Sequence, residues 1–243
     1  WLYSNKLSGS LPSGIGQLKQ LEILQLHANQ ISGPLPSTIG NLSVLRDLRL
    51  YSNKLRGSIP SGIGQLKQLE ILYLHANQLS GPLPSTIGNL SALTDMRLFL
   101  NRLSGSIPSG IGQLKKLEYL ILDTNQLSGS LPSTIGNLSA LTDMRLFLNR
   151  LSGSIPSGIG QLRQLERLYL HTNQISGPLP STIGNLSDLR DLRLYSNKLR
   201  GSIPSGIGQL KQLEILYLHA NQLSGPLPST IGNLSDLRDL RLY

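Results

Sequence analysis

Asparagine recurs at 5, 29, 53, 77, 101, 125, 149, 173, 197 and 221, one every 24 residues without a slip. A period held that strictly constrains the fold more than composition does. A unit of 20 to 29 residues repeated end to end is a coil of a solenoid, because a piece that short cannot bury its own apolar face and must stack on its neighbours. Each asparagine follows a frame such as Leu45-x-x-Leu48-x-Leu50-x-x-Asn53 and precedes Leu55-x-Gly57-x-Ile59-Pro60-x-x-Ile63-Gly64-x-Leu66. Leu48 and Leu50 alternate with polar neighbours, the period-two pattern of a short strand with one face buried. Stacked coils then place these strands in a parallel sheet. The asparagine is expected to point inward at the turn, where its amide satisfies backbone groups of its own and the adjoining coil, giving a ladder of ten. Gly57 permits a tight bend, Pro60 ends regular structure, and Ile63 and Leu66 supply the contacts of the returning side, a short 3₁₀ or irregular turn.

The rest of the composition agrees. With 243 residues, 39% of them hydrophobic, the chain can bury a sizeable core, and 25 glycines and 14 prolines require turns at close intervals. The expected organisation is a single domain over residues 1–243, with a partial coil at 1–20, nine full coils over 21–236 and a partial coil at 237–243. Both ends fall within a strand and lack a polar cap, so the expectation is a fragment of a longer protein. The absence of cysteine removes disulfides, thiolate metal sites and cysteine nucleophiles. No apolar run of about eighteen residues is present, and the start, Trp1-Leu2-Tyr3-Ser4-Asn5, lacks the layout of a signal peptide, so no membrane contact is expected of this segment. The net charge of +9 raises the question of nucleic acid, but the 22 basic residues are spread at repeat spacing and many sit two residues from an acid. A solvated, mildly basic surface is the expectation, with no nucleic-acid partner.

Residues flanking the two strand leucines should form three columns on the concave side. The first runs Ile23, Asp47, Ile71, Asp95, Tyr119, Asp143, Arg167, Asp191, Ile215, Asp239. The second runs Trp1, Gln25, Arg49, Tyr73, Arg97, Ile121, Arg145, Tyr169, Arg193, Tyr217, Arg241, and the third Tyr3, His27, Tyr51, His75, Phe99, Asp123, Phe147, His171, Tyr195, His219, Tyr243. All eleven aromatic residues and all four histidines fall in these columns. Tyrosine and arginine cover large area with few rotors and dominate binding hot spots, so Arg49, Tyr51, Tyr73, His75, Arg97, Phe99, Tyr119, Asp123, Arg145, Phe147, Tyr169, His171, Arg193 and Tyr195 are candidate ligand contacts, with Asp47, Asp95, Asp143 and Asp191 orienting the arginines. The competing reading is that the columns satisfy themselves. At a strand spacing of about 4.8 Å, Arg49 can stack on Tyr73 and Asp47 can reach Arg49 along its own strand. The histidines, in alternate coils, should stand about 10 Å apart, too far to share a metal. No general acid or base has an evident desolvated pocket, each glycine belongs to the frame and not to a phosphate loop, and no Ser-His-Asp arrangement stands out. No catalytic residue, metal or cofactor is expected.

The string from Leu93 to Leu114, Leu-x-x-Met-x-Leu-x-x-Asn-x-Leu-Ser-Gly-x-Ile-Pro-x-x-Ile-Gly-x-Leu, closely resembles the plant-type leucine-rich repeat, and the resemblance covers essentially the whole chain. It implies a solenoid of mostly strand and turn, a curved right-handed superhelix with a parallel sheet on the concave face and short 3₁₀ or irregular turns on the convex face. Such repeats build the ectodomains of receptor-like kinases and receptor-like proteins, the polygalacturonase inhibitors, and surface or secreted proteins of algae and protists. The resemblance thus implies an extracellular or cell-surface module that binds a protein, peptide or glycan. It is specific for fold and poor for ligand. The chain shows none of the family's cysteine-paired caps, membrane span or kinase.

A second period of 48 overlays the first: Ser-Gly-Ile-Gly-Gln-Leu at 61 to 66 alternates with Ser-Thr-Ile-Gly-Asn-Leu-Ser at 85 to 91, and residues 48 to 91 reappear unchanged at 192 to 235. Such copying points to recent duplication of coil pairs or to design, and it supports a rival reading as a scaffold array without a specific ligand. Threonine rows such as Thr38, Thr86 and Thr134 are the one feature that suits an ice-binding solenoid. Asn-Leu-Ser at Asn41, Asn89, Asn137, Asn185 and Asn233 is an N-glycosylation triplet on the returning side of alternate coils.

Overall fold

A computed structural model describes residues 1–242; Tyr243 lies outside the described residues. Each coil begins with a three-residue strand whose central leucine or methionine is buried, except in the last, where Leu240 is exposed. Ten such strands, from Ile23–Gln25 to Asp239–Arg241, form one parallel sheet in sequence order. The register pairs each residue with the one a period later, Arg49 with Tyr73 and Tyr73 with Arg97. Columns in the sequence are therefore columns in space. Behind this sheet Leu48, Leu72, Met96, Leu120, Met144, Leu168 and Leu192 are fully buried in one continuous core that runs the length of the described chain. At about 1.5–3 kcal/mol for each buried leucine, this stack is the main source of stability.

The chain leaves each strand through a residue in the left-handed region, which no glycine announces: Ala76, Leu100, Thr124 and Leu148 have φ of 53°, 54°, 54° and 51°. The asparagine that follows holds the bend. Asn77 Nδ2 donates to Leu74 O at 3.1 Å and to Leu50 O of the preceding coil at 3.0 Å, while its Oδ1 accepts from the Leu55 N–H at 2.9 Å. The same set recurs at Asn101, Asn125, Asn149, Asn173 and Asn197, so the expected ladder is present except at Asn5, which is exposed and bonds only within its own coil.

The segment after the asparagine forms a second parallel ladder that the sequence reading assigned to a bend. Seven strands, from Ser8–Ser10 to Arg150–Ser152, make one sheet, and Ser176–Gly177, Lys198–Gly201 and Gln222–Leu223 make another. Its alternation, as in Lys54-Leu55-Arg56, is too short to register, and the glycine within it, Gly57 at φ 80°, ordinarily argues against a strand.

The returning side consists of ten five-residue 3₁₀ turns such as Ser61–Gln65, each opened by a proline held extended, Pro60 at φ −68°. The second period has a physical meaning here. Thr86 Oγ1 donates to Ser61 O of the preceding coil at 2.7 Å, and Thr134 Oγ1 does the same to Ser109 O. The coils approach so closely that a Cβ on Gly64 would run into the carbonyl of Thr86.

A candidate ligand-binding face on the inner sheet

The first two columns interlock. Arg49 Nε donates to Asp47 Oδ1 at 2.9 Å, and the guanidinium nitrogens of Arg97, Arg145 and Arg193 reach Asp95, Asp143 and Asp191 at 2.8, 2.7 and 2.8 Å. Neighbouring coils add to each acid: the Tyr73 hydroxyl donates to Asp95 at 2.6 Å, the Tyr169 hydroxyl to Asp191 at 2.7 Å, and Arg167 reaches Asp143 at 3.1 Å. The arginines lie over the tyrosine rings, Arg49 and Arg97 at 5.1 and 4.8 Å from the Tyr73 centroid, Arg145 and Arg193 at 5.4 and 4.8 Å from that of Tyr169. Tyr119, in the first column, receives Arg97 at 5.7 Å. Acid, arginine and tyrosine thus form a cross-braced lattice in which Asp47, Asp95, Asp143 and Asp191 each pair with the arginine two residues on.

The lattice fixes protonation. Burial, reinforced by hydrogen bonding to Asp95 and Asp191, pushes the Tyr73 and Tyr169 phenols up to about 12, so both stay protonated donors at neutral pH. Hydrogen bonds to their aspartates raise Arg97, Arg145 and Arg193 further.

The third column is a stack of rings. Tyr3, His27, Tyr51, His75 and Phe99 follow one another at centroid distances of 4.6, 4.3, 4.4 and 4.2 Å, and Phe147, His171, Tyr195 and His219 at 4.4, 4.3 and 4.6 Å. Burial, with Arg97 or Arg193 nearby, pushes His75 and His171 down to about 4, so these rings stack as neutral imidazoles. Between successive histidines of each stack stands a tyrosine ring. Asp123, one of the candidate ligand contacts, occupies the rung between Phe99 and Phe147, where it interrupts the ring ladder. Among the described residues no three histidine, aspartate or glutamate side chains are grouped to hold a metal.

Elsewhere, Asn41, Asn89, Asn137, Asn185 and Asn233 are all exposed at the last residue of their 3₁₀ turns, on the side away from the inner sheet. The serines two residues on are exposed as well.

A fold of stacked parallel strands closed by an asparagine ladder and returned by 3₁₀ turns defines a repeat solenoid. Models of the leucine-rich repeat region match residues 2–106, 39–130 and 109–202, and the leucine-rich repeat model matches residues 212–234. The chain belongs to the leucine-rich-repeat family, of the plant type. Among solved structures it is similar to the plant peptide hormone receptor RGFR1 in complex with RGF2, at 38% identity and a TM-score of 0.96 over 97% of this chain and 38% of that one. It is similar to the Arabidopsis receptor kinase HAESA, solved with the peptide hormone IDA and the co-receptor SERK1, at 35% identity and a TM-score of 0.86 over 98% of this chain and 44% of that one. It is also similar to a plant ice-binding protein, at 28% identity and a TM-score of 0.76 over 98% of this chain and 78% of that one. The chain spans less than half the length of either receptor. No curated protein sequence matches it. No helix among the described residues is long and apolar enough to cross a membrane.

Proposed function

We propose that the inner sheet is the recognition face of an extracellular, receptor-like protein and that its ligand is a peptide or an extended protein segment laid across successive coils. One observation carries this reading: the sequence places all eleven of its aromatic residues in three columns, and the strands that carry those columns pair in register along the inner sheet. Rows already ordered by their own hydrogen bonds lose little conformational entropy when a ligand docks. An extended peptide presents alternate side chains to such rows, and the two receptors named above were solved with peptide hormones. A glycan finds fewer matched donors on a face whose phenols and guanidiniums are engaged. Catalysis has no part in this reading.

The lattice dictates how the face must be tested. Removing Arg97 or Arg193 alone strands Asp95 or Asp191, each only 8% exposed. The informative variant therefore combines Tyr73→Ala, Arg97→Ala, Tyr169→Ala and Arg193→Ala with Asp95→Asn and Asp191→Asn. Wild-type protein is expected to enrich sequences from a displayed linear peptide library, and the sixfold variant, folded by circular dichroism, to enrich none of them. Equal enrichment by both overturns the assignment.

The lattice also favours a second reading, a scaffold array whose side chains serve only one another; that reading requires no enrichment by either protein. Ice binding draws less support, because the Thr38, Thr86 and Thr134 hydroxyls already donate to Ser13, Ser61 and Ser109 carbonyls. Thermal hysteresis of the purified protein is expected to be nil. The exposed Asn41, Asn89, Asn137, Asn185 and Asn233 are the expected carriers of N-glycans in a secreting host. A glycosidase-induced mass shift checks this, and unmodified asparagines would sink it.

A further inference from the structure

The coil from Leu117 to Ser139 departs from its neighbours at one point of the third column. The alternate coils carry His27-Ala28, His75-Ala76, His171-Thr172 and His219-Ala220, whereas this one carries Asp123-Thr124. A flat ring is therefore missing from an otherwise regular stack. Phe99 and Phe147, two coils apart, turn their outer faces toward the vacant rung, since their other faces are covered by His75 and His171 at 4.2 and 4.4 Å. Two strand spacings make the gap about 10 Å from ring to ring, enough for one planar group stacked on both sides.

The floor of this gap is a carboxylate without a cation. Asp47, Asp95, Asp143, Asp191 and Asp239 are each paired to the arginine two residues on. Asp123, 7% exposed, forms no ion pair among the described residues, and its side chain accepts from Thr124 Oγ1 at 3.1 Å. The arginines nearest it are committed elsewhere, Arg97 to Asp95 and both Arg145 and Arg167 to Asp143.

The rim is apolar in a way the fold does not require. Leu100 and Leu148 follow the two phenylalanines, occupy the left-handed turn position that other coils give to serine, alanine or threonine, and are 50% and 46% exposed. A leucine there holds its backbone in the strained left-handed region and leaves about half of itself in water. The other large apolar side chains this exposed lie near the ends, within residues 1–23 and 227–240. Duplication of residues 93–114 as 141–162 explains why the two walls are identical. It does not explain the acid between them.

We propose that this gap is an arginine receptor: a ligand guanidinium stacks between Phe99 and Phe147 and pairs with Asp123, its aliphatic stem passing between Leu100 and Leu148. The proposal rests on the inner face being a peptide-binding surface and names the side chain that surface selects. A guanidinium is planar, stacks on aromatic faces and bonds a carboxylate through two parallel N–H groups; an ammonium does none of these in flat form. The long stem covers apolar surface while the head stays polar. Burial raises the Asp123 carboxyl above its ordinary value, against the pull of Arg145, as fits an acid awaiting a counter-charge.

The test titrates the intact chain with acetyl-Gly-Arg-Gly-amide and follows the Leu100 and Leu148 methyl resonances. Saturable shifts are expected with this probe, at least about tenfold weaker binding with the lysine analogue, and none with the uncharged citrulline analogue. Asp123→His, which restores the ring found in the alternate coils, and Asp123→Asn, which keeps the shape without the charge, should each abolish the response. Absence of saturable shifts, equal response to citrulline, or an undiminished response in either variant overturns the proposal. Because this probe reads the gap alone and the peptide library reads the whole face, failure of one is distinguishable from failure of the other.

Discussion

The asparagines show how much rests on a single side chain in this chain. Asn101 donates to Leu98 O and Leu74 O at 3.0 Å each and accepts from the Leu79 N–H at 2.9 Å, so one amide serves two coils. Asn101→Ala leaves the Leu79 N–H without its side-chain acceptor and takes one of two amide donors from Leu98 O and Leu74 O, which Asn125 and Asn77 still serve, and we expect a loss of about 1–3 kcal/mol. Asn5, exposed and bonded only to Leu2 and Tyr3 of its own coil, should lose under about 1 kcal/mol. Urea denaturation of the two variants separates the cases. The histidines carry a different signature. His75 and His171 titrate at about 4 when folded and near the ordinary 6.5 when unfolded, so acid protonates the unfolded chain first. Their contribution is fully present above pH 6.5 and is lost progressively as pH falls toward about 4. The double variant His75→Phe, His171→Phe keeps the stack and removes the protons, so its melting temperature should fall less between pH 7 and 4.5 than that of the wild type. An unchanged difference would show that the aspartates alone account for the acid sensitivity.

At the level of the element, the 3₁₀ turns are set by contact between coils more than by local preference. A methyl group on Gly64 meets the backbone of Thr86, which cannot swing aside, whereas a methyl on Gly14 meets nothing within 4 Å. Gly64→Ala is therefore expected to destabilise by about 2–4 kcal/mol, and Gly14→Ala to be neutral or slightly stabilising. Thermal unfolding followed by circular dichroism checks the contrast, and equal effects would mean that the coils can part at the convex side. The same geometry explains the alternation of Gly-Ile-Gly and Thr-Ile-Gly turns: one coil supplies the serine carbonyl, and the next supplies the hydroxyl that donates to it.

The whole molecule is close to a one-dimensional stack, in which each coil touches only its neighbours. Residues 93–114 and 141–162 are identical, so excising 93–140 joins the chain in register. The shortened protein should fold with a modestly lower melting temperature. Its ring stack should become continuous, with Phe147 against His75, and the gap over Asp123 should vanish. Loss of the arginine-probe response with retention of the far-ultraviolet spectrum is the expected result; a collapsed spectrum would show that the coils are more interdependent than a stack allows.

Sequence alone determined the period, the core, the asparagine ladder and the identity of the three columns, because a strict 24-residue repeat leaves one register in which the frame leucines of successive coils stack on one another. It also anticipated that Arg49 stacks on Tyr73 and pairs with Asp47, since both follow from strand spacing. Tertiary structure decided three things. The left-handed residue before each asparagine is alanine, serine, threonine or leucine, and its conformation is imposed by the amide that follows, a signal local propensity does not carry. The second strand exists because adjacent coils align a segment too short to form one unaided. The significance of Asp123 depends on what stands on either side of it in space, two rings separated from it by a full turn of chain, and only stacking the coils brings those faces together around one unpaired acid.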